Sequence, residues 1–408
     1  MTLPQSSSPK PFPISLIFTL STLSAVGPLA IDAYLAAMPT ITQDLGTTAT
    51  RTQLTLTAFM LGMALGQLVI GPLSDLIGRV RPLYISVLVS LAATIACIFV
   101  PNVELFIAAR FIMGAAAASG MVISRAIVAD STVGLQTAKL MGIMMMINSF
   151  APVIAPLLGG VILEFATWRT IFTVIAAFMA VSTICVYTFV RETLPVEKRR
   201  TGGLATTYRG IGEVLKIPRF RGYMLTMTLA FGSIFAYVSA STYVLQNVLG
   251  LSSLHYTWVF GINSMGIVAM SSLATYLVGR VAIRRTLTVG VVLMFTAAVL
   301  ITGTFLAGIT LVPTLIFFFM TTCAMGLIAG NASSLALMEG RHLAGSASAV
   351  LGTVQSLMGG LATALSALGG GHAVLPLAFT MLGFSALSLL ALLTTPTAEA
   401  DYAKGARR

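Results

Sequence analysis

The sequence predicts an all-α integral membrane protein of twelve transmembrane helices, arranged as two pseudo-symmetric six-helix bundles. Three observations predict this. Apolar runs of about 20 residues, the length a helix needs to cross a bilayer, recur along the chain. Basic residues gather on one side of the topology those runs define. Short signatures of the first six runs also return, in the same order, in the second six. Composition agrees: 57% of the 408 residues are hydrophobic and 9% are charged, where a soluble domain carries about a quarter charged residues.

In order, the first six runs cover 14–38, 52–73, 82–101, 104–124, 138–163 and 168–190. The second six cover 222–245, 254–278, 286–307, 310–333, 346–368 and 373–394. The alternating pattern of a membrane barrel is absent. Lys10 before the first run imitates a signal peptide, but the run exceeds an h-region and its loss would break the even helix count. It therefore reads as a mature helix. Between Arg191 and Arg221 the chain turns polar and basic, which divides it into an N-terminal bundle (1–193), a linker (194–221), and a C-terminal bundle with a short tail (222–408).

The net charge of +11 is topological. Arg79, Arg81, Arg125, Lys139, Arg191, Lys198, Arg209, Lys216, Arg219, Arg221, Arg280, Arg284, Arg285 and Arg341 all fall on one side, with both termini. Only Arg51 and Arg169 fall on the other. The expected placement is a bacterial inner membrane with both termini cytoplasmic, anionic lipid headgroups as neighbours, and no nucleic-acid partner.

The repeat is visible in three places. Leu45-Gly46 returns as Leu249-Gly250, Gly78-Arg79 as Gly279-Arg280, and Gly159-Gly160 as Gly359-Gly360. Two repeated halves with a path between them is a transporter architecture. Charge breaks the symmetry: Asp32 corresponds to the neighbourhood of Tyr237, and Arg110 to that of Leu311.

Asp32 organises the functional reading. A carboxylate at a helix centre in hydrocarbon costs roughly 2.5 to 3.5 kcal/mol, so an ionisable residue there is read as functional. With the first helix leaving the membrane near Pro39 and the fourth entering near Val103, Asp32 and Arg110 each lie about 10 Å deep. The expectation is that they share a water-filled cavity, Asp32 carrying the proton and Arg110 steadying its ionised form. Tyr34, Phe235, Tyr237 and Tyr256 are candidates for the cargo walls, with Met144 to Met146 as adaptable contacts. Asn148, Asn263 and Gln355 are candidates for hydrogen bonds in the cavity, or for joining helices.

Cys97, Cys185 and Cys323 lie in apolar runs without metal or redox spacing, and His255, His342 and His372 fall in predicted loops. No nucleotide-binding G-x-x-x-x-G-K-[ST] loop, zincin or nucleophile-elbow pattern occurs. The chain thus reads as neither an ATP-driven pump nor an enzyme, with no metal and no cofactor.

The second run ends Gly71-Pro72-Leu73-Ser74-Asp75-Leu76-Ile77-Gly78-Arg79-Val80-Arg81, which resembles the G-x-L-a-D-r-x-G-r-k loop of the major facilitator superfamily. Leu76 and Val80 depart from that pattern. The resemblance implies that Asp75 caps the eleventh helix, for which Ser346 is a candidate N-cap, and that Asp130 pairs with Arg79 or Arg125. Arg110-Phe111-Ile112-Met113-Gly114 is similar to the family's fourth-helix motif associated with proton coupling, with Met113 in place of glutamine. The segment Ala151-Pro152-Val153-Ile154-Ala155-Pro156-Leu157-Leu158-Gly159-Gly160 resembles its antiporter motif, in which Pro152, Pro156 and the glycines would gate. Asp32-Ala33-Tyr34, Trp168-Arg169, Arg191-Glu192-Thr193-Leu194 and Ala344-Gly345-Ser346 resemble the branch of bicyclomycin and chloramphenicol resistance exporters. The implied protein is a monomeric secondary transporter with the major facilitator fold. It would exchange small hydrophobic or weakly polar drugs for protons. Proton-coupled transport of a metabolite such as a sugar or amino-acid derivative stays open, as does a non-transporting receptor on the same fold.

Overall fold

The computed structural model describes residues 13–132, 135–199, 203–370 and 374–396. Every named element in it is helical. The first half contains α1 (Ile14–Asp32), α2 (Met38–Asp44), α3 (Ala49–Ile77), α4 (Val80–Phe99), α5 (Val103–Ser131), α6 (Leu135–Phe165) and α7 (Trp168–Phe189). The linker forms α8 (Gly203–Leu215). The second half contains α9 (Pro218–Tyr243), α10 (Ser253–Leu277), α11 (Ile283–Ala307), α12 (Leu311–Glu339), α13 (Ala344–Ser366) and α14 (Leu375–Thr394). Among the described residues eleven stretches are long and apolar enough to cross a membrane, and α6, at 31 residues, supplies the twelfth by length.

The repeat read from sequence is repeated in backbone geometry. Gly46 and Gly250 close the turns after the first span of each half with φ of +57° and +73°, and Gly78 and Gly279 those after the second with +99° and +81°. Side chains rarely adopt these angles, so the paired glycines mark equivalent turns. For convenience the face carrying Asp44 and the face carrying Arg79 are named after those residues. On the Asp44 face, Thr48, Asn102 and Ser252 cap α3, α5 and α10 by accepting from the N–H groups of Arg51, Leu105 and His255. These caps satisfy amides that a helix start leaves orphaned.

Three local expectations are corrected. The first span does not end near Pro39; it continues through α2 to Asp44, because Thr40, Thr42 and Gln43, though polar, stay helical around the buried Ile41. In the linker, α8 packs against the α12–α13 turn, with Val214 fully buried beside Gly340. Ser346 does not cap α13, because a short 3-10 turn at Arg341–Leu343 puts Leu343 at the cap and Ser346 inside the helix. His255 lies in the first turn of α10 with Nδ1 2.8 Å from Ser252 Oγ, rather than in a loop. His342 sits in the 3-10 turn, and His372 lies outside the described residues.

Candidate functional site between the halves

Asp32 is the last residue of α1, where the first span breaks. Pro39 has no N–H, and its ring excludes a regular helix one turn back, so the chain passes through a 3-10 turn at Leu35–Ala37. It then resumes as α2 with Pro39 in the first turn, the position that tolerates it. A break of this kind strands the last carbonyls of α1 without in-helix donors. Two of them are covered by other helices. Ala30 O accepts a hydrogen bond from Arg110 Nη1 at 2.9 Å. Ala33 O lies against Gly159 of α6, where any Cβ would collide with it. Asp32 sits roughly 18 Å along the helix from Asp44, deeper than a chain leaving at Pro39 would place it.

Arg110 is fully buried, and it is not the salt-bridge partner of Asp32. Its guanidinium carbon stands 4.3 Å from the Tyr34 ring centroid and 4.4 Å from that of Phe59, with Phe172 at 5.9 Å. Tyr34 is held in turn by a 3.1 Å hydrogen bond between its hydroxyl and Thr55. A cation at a helix C-terminus gains about 0.3 to 1 kcal/mol, up to about 2 when partly buried. Each desolvated aromatic face adds up to about 2 kcal/mol. These attractions hold the arginine within the first half, on the broken end of α1. Arg110 Nε and Nη2 have no hydrogen-bond partner.

Asp32 instead looks across to the second half. Its side chain is 7% exposed, makes no ion pair among the described residues, and lies within electrostatic reach of Tyr237 and Tyr256. Tyr237 Oη accepts from Asn263 Nδ2 at 2.7 Å, which leaves the phenol proton free to donate. Phe260 and Phe318 wall this cluster, with ring centroids 6.0 and 4.8 Å from that of Tyr237. Asp32, Tyr237, Tyr256 and Asn263, each singled out from the sequence, thus lie in one region. Sequence reasoning did not foresee that Tyr34 belongs to the Arg110 box. Phe235 stacks on Phe231 at 4.4 Å and packs on Gly359, filling the α9–α13 contact. Gln355 is half-buried on α13, and the Asn148 side chain lies outside the described residues.

The halves are bonded to each other at the Asp44 end. Thr42 and Tyr243 hydroxyls meet at 3.0 Å, Gln246 Nε2 donates to Ala36 O at 3.1 Å, and Thr50 Oγ1 donates to Ala367 O at 2.7 Å. Gly160 of α6 abuts Thr257 of α10, while Gly360 of α13 faces Met60 and Thr57 of α3. The repeated glycine pairs therefore serve equivalent crossings between halves. Pro152 O accepts from Ser264 at 3.0 Å on the same α6–α10 seam, with Pro156 one turn further along α6. Nearer the middle, Gln67 Nε2 donates to Ser356 Oγ at 3.3 Å.

At the opposite face a charge network surrounds Arg79. Its Nη1 donates to Asp75 Oδ1 at 2.5 Å and Ser74 Oγ at 2.8 Å, and its Nε to Asp130 Oδ2 at 2.9 Å. Of the two expected partners for Asp130, Arg79 takes the role; Arg125 is exposed. Gly71 approaches Val122 of α5 closely, which holds the end of α3 against the helix carrying Asp130. Sequence reasoning missed the part played by Glu192. Its carboxylate accepts from the N–H groups of Arg79 and Val80, capping α4, and from those of Thr193 and Leu194. A Cβ at Gly78 would collide with Glu192. Burial pushes the Glu192 carboxyl up, but the N–H groups of Arg79, Leu194 and Val80 and the Arg199 charge outweigh it and hold the group below its ordinary range. The available signal was a carboxylate immediately after a span, beside a Gly-Arg turn whose amides need an acceptor.

Two repeated bundles around one buried carboxylate at a broken spanning helix define a multi-pass membrane transporter. Residues 20–363 match the Major Facilitator Superfamily, and the chain belongs to that family. It is 37% identical over 355 residues to the uncharacterized MFS-type transporter YdgK of Bacillus subtilis, covering 86% of this chain and 88% of the relative. It is 29% identical over 375 residues to the bicyclomycin resistance protein homolog of Haemophilus influenzae, covering 92% and 94%. The fold matches the xylose transporter XylE from E. coli in a partially occluded inward-open conformation, with a TM-score of 0.71 at 15% identity. That match covers 94% of this chain and 99% of XylE.

Proposed function

We propose that the protein exports small hydrophobic or weakly polar drugs from the bacterial cytoplasm in exchange for protons, with Asp32 as the exchanging group. The observation that carries this reading is an unpaired carboxylate at the break of a spanning helix, buried between the halves and facing the aromatic hydroxyls of the second. The bicyclomycin resistance homolog supports the cargo class. On this reading the Arg79 face and both termini are cytoplasmic, which follows the basic residues. The working unit is a monomer in contact with membrane lipids.

The cycle follows from the cost of an unsatisfied charge. Ionised Asp32 is satisfied by cargo that donates a hydrogen bond to it, or by a proton, but not by hydrocarbon. The empty ionised carrier therefore switches poorly, and this penalty links the two fluxes. Arg110 acts on the backbone, fixing the broken end of α1 and so the position of Asp32. Export requires the bonded Asp44 end to release, and the α6 glycine pair connects that event to the site: Gly159 rests on Ala33 and Gly160 on Thr257. One proton moving through about 150 mV supplies about 3.5 kcal/mol, enough for a several-hundred-fold gradient of a neutral cargo.

The test is flux in everted vesicles. An imposed proton gradient is expected to drive chloramphenicol uptake by the wild type and not by Asp32→Asn. Gradient-independent flux in the wild type, or full gradient-driven flux in Asp32→Asn, contradicts the reading.

A further inference from the structure

The second half holds two hydroxyls that the folded chain leaves unused. Tyr256 Oη and Ser241 Oγ are fully buried and, apart from a contact with each other, have no hydrogen-bond partner. They come from different helices, Ser241 from α9 and Tyr256 from the first turns of α10, and lie beside one another. Both sit just under the bonded Asp44 end: Ser241 precedes Tyr243, which bonds Thr42, and Tyr256 precedes Thr257, which abuts Gly160. Asp32 is within electrostatic reach of Tyr256.

Buried polar groups nearly always have partners, and an unpaired hydroxyl carries a desolvation penalty that a partner removes. Neighbouring hydroxyls at the centre show what satisfaction looks like here: Tyr237 is bonded to Asn263, and Ser239 to Ser366 at 3.0 Å. Tyr256 and Ser241, with no partner beyond each other, contrast with these bonded neighbours of the second half. The rings around them, Phe260 and Tyr237, provide an apolar surround with a few fixed polar groups, the usual make-up of a small-molecule site.

We propose that Tyr256 and Ser241 form a cargo-reading subsite opposite Asp32, which engages a hydroxyl or amide on a neutral compound with an apolar or aromatic body. This rests on the export reading for its biological use, but the subsite is defined by binding alone. Asp32 takes a donor of the cargo, and the hydroxyl pair takes a second polar group, so two points fix its orientation. A permanent cation without hydrogen-bonding groups has nothing to offer the pair.

The experiment measures equilibrium binding of chloramphenicol and of tetraphenylphosphonium to the purified full-length protein in detergent, for wild type, Tyr256→Phe, Ser241→Ala and Ser241→Thr. The thermal midpoint without ligand is recorded for each. Expected are a five- to tenfold weaker chloramphenicol affinity in Tyr256→Phe and Ser241→Ala, about the effect of one lost hydrogen bond, and recovery in Ser241→Thr. Any tetraphenylphosphonium binding should be unchanged. The thermal midpoint of Tyr256→Phe should stay level or rise, because the hydroxyl removed had no partner beyond its contact with Ser241. Equal chloramphenicol affinity in all four proteins overturns the subsite, as does absence of chloramphenicol binding in the wild type. A midpoint that falls in Tyr256→Phe overturns it too, by showing a structural hydrogen bond. If binding behaves as expected while the everted vesicles show no gradient-driven flux, the subsite stands and the export reading fails.

Discussion

The first and seventh spans are related helices of equal length, Ile14–Asp44 and Pro218–Val248 at 31 residues each, yet they are built differently. The first breaks at Asp32, exposes its terminal carbonyls to Arg110 and Gly159, and buries a charge. The seventh runs as a regular helix to Tyr243, turns into a short π-helical segment at Val244–Val248, and offers neutral hydroxyls at the same level. The same division holds at the Arg79 face. Arg79 is buried among Asp75, Asp130 and Ser74, whereas its repeat partner Arg280 is exposed and stacks on Tyr276 at 3.8 Å. One half has kept the ionic machinery, and the other the uncharged surface. The lesson is that repeat symmetry sets the scaffold, while chemistry is concentrated by breaking it.

The largest expected effect comes from the α1 break. Gly159→Val forces a branched side chain into the Ala33 carbonyl and should cost several kcal/mol, about the upper range for overpacking, with loss of folded protein in detergent. Its repeat counterpart Gly359 faces the flexible Met60 side chain and the edges of Phe231 and Phe235. Gly359→Ala should therefore cost about 1 kcal/mol or less. Size-exclusion yield and thermal midpoint separate the two. Equal tolerance at both sites would remove the contact that ties α6 to the break.

Arg110→Met comes next. Burying an ion costs several kcal/mol, which removal of the charge recovers and which offsets the lost contacts with Ala30 and the rings. The fold should survive, with an unchanged or higher thermal midpoint, while cargo flux falls because α1 loses its terminal clamp. A variant that loses stability and keeps flux would show a packing role only.

How much of this was legible beforehand differs between scaffold and site. Span count, the repeat and the Gly78-Arg79 turn were readable because bilayer thickness and positive φ leave direct marks on sequence. The central pairing of Asp32, Tyr237, Tyr256 and Asn263 was approachable through polarity in apolar runs. The place of Arg110 was not. Opposite charges at similar depth suggest an ion pair, but a broken helix end offers a competing acceptor that no residue type announces. The cap by Glu192 was hidden for the same reason, since its partners are backbone amides.

At the Arg79 face, Arg79→Ala leaves two partly buried carboxylates without their cation and should cost about 1 to 3 kcal/mol, below the full penalty because both are partly solvated. Arg280→Ala, at an exposed position, should stay within about 0.5 kcal/mol. A matching loss in both would erase the asymmetry between the repeats. The smallest effect concerns pH. Glu192 titrates lower in the folded protein than in the unfolded chain, so its contribution is complete above its unfolded value of about 4.3 and is lost as pH falls through the lower folded value. Glu192→Gln should flatten that acid limb of the thermal midpoint and leave the pH dependence near neutrality unchanged. An unchanged acid limb would mean that the α4 cap does not depend on the charge.

Cargo and proton are expected to meet at Asp32. Adding chloramphenicol to purified wild-type protein in weakly buffered detergent, and following pH with an indicator dye, reads that exchange without any membrane. Proton release that saturates with cargo binding, at up to about one proton per bound molecule, is expected for the wild type and should vanish in Asp32→Asn. Equal release by Asp32→Asn, or cargo binding by the wild type with no proton released at any pH tested, would contradict it.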